Sequence, residues 1–157
     1  MNRLIQITDL HFGENPSAII ESINPVESFS AILDEIENSD FRDAPILLSG
    51  DLSGCDNAGS YQMLNKMLFN RKKEIIWLPG NHDDLQEMNT HLTHYPRLSS
   101  LRLSNWSLIT LNSSKAKSAV GFIDHHELLK LDFELSKVRS QFVLSLIHIS
   151  EPTRHTR

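Results

Sequence analysis

At 157 residues the chain has room for one domain with a real core and not for two of ordinary size. Its 39% hydrophobic and 22% charged residues are those of a globular protein, and no apolar run approaches the roughly 20 residues that a bilayer crossing needs. A net charge of −5 leaves no basic stripe for a nucleic-acid backbone and suits a cation site, while a single cysteine, Cys55, excludes an intrachain disulfide and fits a reducing compartment.

Met1-Asn2-Arg3 leads straight into a strand without a signal-peptide pattern, so the expected location is the cytoplasm. The first strand, Leu4 to Thr8, runs into Asp9-Leu10-His11. Phe12 to Ile23 holds Gly13, Asn15, Pro16 and Ser17 without a clear period and reads as a loop over a site. Asn24-Pro25-Val26-Glu27 has a cap residue, a proline at the first helical position and an acid three residues after the cap. Phe29, Ile32, Leu33 and Ile36 then give that helix one apolar face. A second strand, Ile46 to Ser49, runs into Gly50-Asp51, and Tyr61, Leu64, Met67 and Leu68 mark a second amphipathic helix. The basic triplet Arg71-Lys72-Lys73 at its end is expected to be a solvated helix terminus rather than a phosphate-binding patch.

The third strand, Glu74 to Leu78, stops in Pro79-Gly80-Asn81-His82-Asp83-Asp84, and Asp84 to Leu92 follows as a short helix. Leu98 to Leu103 and Trp106 to Leu111, separated by Ser104-Asn105, form an expected hairpin. After a small-residue loop, Asn112 to Gly121, Asp124 caps a helix whose apolar face carries Leu128, Leu131 and Leu135, and Gln141 to Val143 begins another strand. The expected fold class is α/β: a βαβαβ start on a mostly parallel sheet, followed by antiparallel strands.

From Leu144 to Arg154 the sequence resembles a translation of sequencing-adapter DNA. Residues 1–143 are therefore expected to be the N-terminal part of a domain, and 144–157 a non-native tail set aside from the fold. Such a truncation should leave an unpaired sheet edge and an uncovered apolar face. Read as protein instead, the same stretch is a strand, Val143 to Ile149, with His148 as a ligand at its end; the adapter reading is the preferred one.

Three strand ends thus offer Asp9, His11, Asp51, Asn81 and His82, and in parallel sheets ligands bind beyond the carboxyl ends of the strands. Each residue alone has an ordinary reading as a turn former or loop residue. Together, acids and histidines on one spot repel or desolvate one another unless a cation sits between them. Asp9 and His11 stand two apart and, if extended, face the same side. Asp51 can bridge two metals through its two oxygens, and Asn81 offers a neutral amide oxygen. Two metals about 3.5 to 4 Å apart generate hydroxide at neutral pH and stabilise both oxygens of a phosphoryl displacement, so phosphate-ester hydrolysis is the expected reaction.

Asp9-Leu10-His11, Gly50-Asp51 and Gly80-Asn81-His82-Asp83, in that order, resemble the motifs of the calcineurin-like metallophosphoesterases. Leu4 to His11, Leu48-Ser49-Gly50-Asp51-Leu52 and Leu111-Asn112-Ser113 look most like the bacterial class III cyclic nucleotide phosphodiesterases among them. The resemblance implies a two-sheet sandwich with helices on its outer faces, of which this chain holds the first half. It implies that Asp9 and His11 bind a first metal, Asp51 bridges both, Asn81 binds the second, and His82 protonates the leaving alkoxide or orients the phosphate. The two metals would be drawn from manganese, iron and zinc. The partner would be a small phosphate ester of nucleotide type, such as a 3',5'-cyclic nucleotide, and neither nucleic acid nor membrane.

The chain also departs from the family. A later histidine and a Gly-His-x-His motif are expected to be missing, which would leave the polypeptide inactive or nearly so. Where some relatives place an acid three residues after the bridging aspartate, this chain has Gly54, leaving Asp56 or Asp83 to orient the histidine. His91, His94, His125 and His126 do not lie in matching contexts and are expected at the surface. A non-catalytic binding module on the same fold and a nuclease of the same family stand as alternatives; the intact five residues count against the first and the acidic charge against the second.

Overall fold

Three short apolar strands set the frame in the computed structural model, which describes residues 3–54, 58–69, 71, 73–115, 118 and 120–148. Strands β1 (Ile5–Ile7), β2 (Ile46–Ser49) and β3 (Ile75–Leu78) form a parallel sheet in the order β1-β2-β3. Ile7 lies beside Leu48, and Ser49 beside Leu78, so the three strands end nearly level. Helices α1 (Pro25–Glu37) and α2 (Ala58–Phe69) make the crossovers. Because the strand order follows the chain order, two right-handed crossovers put both helices on one face. The larger core lies there, with Phe29, Leu33 and Ile36 of α1 and Tyr61, Leu64 and Leu68 of α2 against the sheet. Met88 of α3 (Leu85–His91) joins them.

Side chains alternate across a strand, so Leu47, Ile76 and Leu78 face the other way and meet Leu108 of a second sheet. All four residues of β2 and of β3 are buried, as expected for strands covered on both faces. The second sheet joins β4 (Ser100–Leu103), β5 (Trp106–Thr110) and β6 (Phe142–Leu146) in that order, β4 and β5 antiparallel, β5 and β6 parallel across α4 (His125–Lys137). The two-sheet sandwich expected from the sequence is present. So are its helix starts: the Asn24 carboxamide accepts from the N–H groups of Val26 and Glu27, Asp84 from those of Gln86 and Glu87, and Asp124 from that of Glu127.

Three readings need correction or completion. Leu144 to Leu146 do not stand outside the fold; they pair with Leu108, Ile109 and Thr110 as part of β6, whatever the origin of their codons. The α4 helix buries a more polar stripe than expected: Leu131 is half-buried, but Leu128 and Leu135 are exposed, and the fully buried residue is Glu127. Glu127 accepts from the Asn112 N–H at 3.0 Å and pairs with Lys130 at 2.5 Å, while Glu134 accepts from the Ser100 hydroxyl at 2.7 Å, so these partners outweigh the apolar face. Phe142, Val143 and Leu144 of β6 are exposed as well. Finally, the Arg71 guanidinium pairs with Asp34 at 2.7 Å and Glu37 at 3.0 Å, which ties the end of α2 to α1, and Lys73 donates to the Arg42 carbonyl; Lys72 lies outside the described residues. Among the described residues no helix is long and apolar enough to cross a membrane.

Candidate metal centre

Beyond the last residues of β1 and β2 the two segments keep pairing. The Asp9 N–H donates to the Gly50 carbonyl at 3.0 Å, the His11 N–H to that of Asp51 at 2.9 Å and the Phe12 N–H to that of Leu52 at 3.0 Å. The backbone there is not extended: Asp9, His11 and Asp51 all have left-handed φ values, 57°, 45° and 51°. The expectation that Asp9 and His11 converge by strand alternation is therefore wrong in mechanism. Two separate left-handed bends bring their side chains to one side. L-residues adopt this region at a cost of about 1 kcal/mol or more each, and such outliers concentrate at functional sites.

His11 Nε2 lies 3.7 Å from Asp9 Oδ1 and 3.9 Å from Asp51 Oδ2. One ligand atom from each of the three residues falls within 4.8 Å of the others. These gaps are too long for hydrogen bonds and suit atoms arranged around a shared cation, and oxygen and imidazole donors fit a borderline divalent metal. Asn81 and His82 line the same cavity of about 670 Å3. The His82 ring meets the His11 ring edge-on at 5.3 Å, and the His82 N–H donates to Asp51 Oδ1 at 2.9 Å. All five residues singled out from the sequence thus reach one place.

A sixth was set aside. His148, two residues beyond β6, is buried, with Nδ1 2.8 Å from the Ser49 carbonyl oxygen and Nε2 3.3 Å from Asp51 Oδ2. Nε2 thus points at the Asp51 carboxylate within ion-pair distance. The Ser113 hydroxyl donates to the His148 carbonyl at 2.5 Å, which ties Leu111-Asn112-Ser113 into the same end of the sandwich. The signal was the pattern already seen three times, an apolar strand ending on a polar residue, and the adapter reading overrode it.

Burial alone would push the Asp51 carboxyl up, but His148 beside it and the His82 N–H hold it below the ordinary value. In return the Asp51 carboxylate pushes the His148 imidazole up to about 9. A raised histidine value stabilises the fold fully below its unfolded value of about 6.5, and that contribution is lost as pH rises through about 9. In chelator, unfolding free energy from urea titration is expected to fall by up to about 3 kcal/mol between pH about 6 and about 10. His148→Gln should abolish most of that fall; identical pH profiles for parent and variant would show that the pair contributes nothing.

Beneath the ligands lies a buried carboxylate with a different task. Asp83 Oδ1 accepts from the N–H groups of Leu52 and Ser53 and from the Tyr61 hydroxyl, each at 3.0 Å, and Oδ2 accepts from the Gly80 N–H at 2.9 Å. Burial pushes this carboxyl up and the four donors pull the other way. Asp83 is thus engaged with the loops and not with the His82 ring; Asp56, the other candidate, lies outside the described residues. At Gly54 a side chain would start 3.2 Å from the His11 carbonyl oxygen, so an acid there would crowd the ligand loop. Of the remaining histidines, His91 pairs with Glu87 and His94 packs on Phe69, both away from the cavity, and His125 and His126 are exposed at the start of α4.

The calcineurin-like phosphoesterase family matches residues 2–152. A 3',5'-cyclic-nucleotide phosphodiesterase of Nostoc is 32% identical over 147 residues, covering 92% of this chain and 55% of that protein. A 3',5'-cyclic adenosine monophosphate phosphodiesterase of Haemophilus influenzae is 29% identical over 93% of this chain and 54% of its own length. For a probable cyclic nucleotide phosphodiesterase of Vesicomyosocius okutanii the figures are 28%, 92% and 60%. The chain spans little more than half the length of these curated relatives.

Proposed function

The chain belongs to the calcineurin-like phosphoesterase family, and from that premise we propose a dinuclear-metal phosphodiesterase acting on a 3',5'-cyclic nucleotide. The observation that carries it is the convergence of Asp9, His11 and Asp51 within 4.8 Å at the ends of two parallel strands. In this reading Asp9 and His11 would hold one ion, Asp51 would contact both, and Asn81 would help to hold the second. Metal ions so held stabilise charge on the phosphoryl oxygens and lower the barrier to attack by water at neutral pH. Asp51, kept ionised by its neighbours, retains its charge for the cations. His82, on the cavity wall, protonates the departing alkoxide or orients the phosphate. The lone cysteine fits a cytoplasmic enzyme.

We also keep the proposal that residues 144–157 are not native and that the polypeptide as written turns over little substrate, since the Gly-His-x-His motif is not in it. A source gene continuing unbroken through these codons, or hydrolysis by the 157-residue chain at the rate of intact relatives, would overturn this. The function itself is tested on the product of the uninterrupted gene. Metal-dependent hydrolysis of cyclic AMP is expected, and Asp51→Asn should lower it about a thousandfold, roughly 4 kcal/mol of barrier. Unchanged turnover in Asp51→Asn, or no hydrolysis with manganese, iron or zinc, would refute the reading.

A further inference from the structure

The cavity that holds the candidate ligands has a second kind of wall. Ile20, Ile23, Pro25 and Ile32 line it together with Asp9, His11 and Asp51. Ile32 was expected on the apolar core face of α1, yet it is 44% exposed, and Ile23 is 58% exposed. Leaving two isoleucines in water beside a polar centre stabilises nothing in the free protein.

The way Ile20 and Ile23 are held is also costly. The Ile20 N–H donates to the Ile23 carbonyl at 2.8 Å and the Ile23 N–H to the Ile20 carbonyl at 2.9 Å, a two-residue hairpin closed by Glu21 and Ser22. Glu21 and Ser22 have φ of 48° and 71°, the turn that asparagine and glycine normally supply. Two residues opposite each other in such a pair project to the same face, so the strained turn presents both isoleucines side by side. Strain of this kind persists where the surroundings over-determine it, and here it shapes the wall of a cavity.

Resting on the phosphodiesterase reading above, we propose that Ile20, Ile23 and Ile32 form the subsite for the nucleobase of the substrate, an uncharged flat ring gripped while the phosphate sits at the metal ligands. The pairing of an apolar wall with a few convergent polar groups is the usual make-up of a small-molecule site. Glu21 also lines the cavity, and its carboxylate disfavours a second phosphoryl group in this half. The occupant is therefore an uncharged ring and not the tail of a polyphosphate.

The test uses the metal-free 157-residue chain with labelled isoleucine methyl groups and adenosine, which carries the base and no phosphate. Adenosine is expected to shift the δ1 methyl signals of Ile20, Ile23 and Ile32, and glycerol 3-phosphate is not. The double variant Ile23→Ser and Ile32→Ser replaces exposed side chains, so it should fold as the parent does and bind adenosine at least about tenfold more weakly. Adenosine shifts at none of the three methyls, or equal affinity in the double variant, would overturn the subsite. Cyclic AMP hydrolysis by the uninterrupted gene product separates the two readings. Methyl shifts without hydrolysis leave the subsite standing and refute the enzyme, whereas hydrolysis without methyl shifts refutes the subsite alone.

Discussion

Asp83→Ala is expected to remove about 4 kcal/mol of stability and to abolish metal binding, although Asp83 is not among the candidate ligands. Its carboxylate joins two loops: Leu52 and Ser53 directly follow Asp51, and Gly80 directly precedes Asn81 and His82. Alanine would leave three backbone donors and the Tyr61 hydroxyl facing an apolar side chain inside the protein. Each unpaired buried donor costs about 1 to 3 kcal/mol, and some recovers by letting in water, so the sum is less than four full penalties. Against a total stability of about 5 to 15 kcal/mol for a small domain, that is a large share. Asp83→Asn keeps the shape but turns one donor group toward the loop N–H groups, and it should fall between parent and alanine. Urea titration and calorimetric metal titration give the two readouts. A loss under about 1 kcal/mol with metal affinity intact would show that the carboxylate does not brace the site.

Gly80→Ala should cost at least about a hundredfold in metal affinity by adding one methyl group. A Cβ at this position would lie 2.1 Å from Asp51 Oδ1 and 2.3 Å from the Asp51 backbone nitrogen. The second contact is with main chain, so a side-chain rotation cannot relieve it, and Asp51 or residue 80 must shift by about an ångström. Disturbing the groups that support a metal ligand costs about ten- to a hundredfold in metal affinity, and here a candidate ligand itself is displaced. Overpacking of this kind also costs about 1 to 3 kcal/mol of stability. Gly54→Ala serves as the control, because its closest contact is 3.2 Å and neighbouring atoms need give only slightly. Equal metal affinity in the Gly80 and Gly54 variants would mean that the close approach of the two loops has no part in building the site.

Local chemistry explains why much was readable beforehand. Asn24, Asp84 and Asp124 cap their helices because a short acceptor before a run of free N–H groups has few better options. Ile46 to Ser49 and Ile75 to Leu78 are unbroken apolar or small runs because they are covered on both sides, and parallel strands of that kind align their carboxyl ends. That alignment is what delivered Asp51 and Asn81 to the same edge as Asp9 and His11. Leu128 and Leu135 of α4 misled because periodicity finds an apolar stripe but does not say which way it faces. Glu127 and Glu134 found partners on Arg97, Lys130 and Ser100 that no local pattern announces.

The sequence by itself determined the α/β class, the order of the elements, the family resemblance and the five residues Asp9, His11, Asp51, Asn81 and His82 that line the cavity, since these depend on spacing along the chain and on the polar residues that end each strand. Only the tertiary structure decided that Asp9, His11 and Asp51 converge through left-handed bends, that His148 lies against Asp51, that Asp83 braces the loops, and that Ile23 and Ile32 face the cavity. Each of these joins residues from separate segments, 99 positions apart in the case of His148 and Ser49, and such contacts are set by how two sheets pack and not by any local preference.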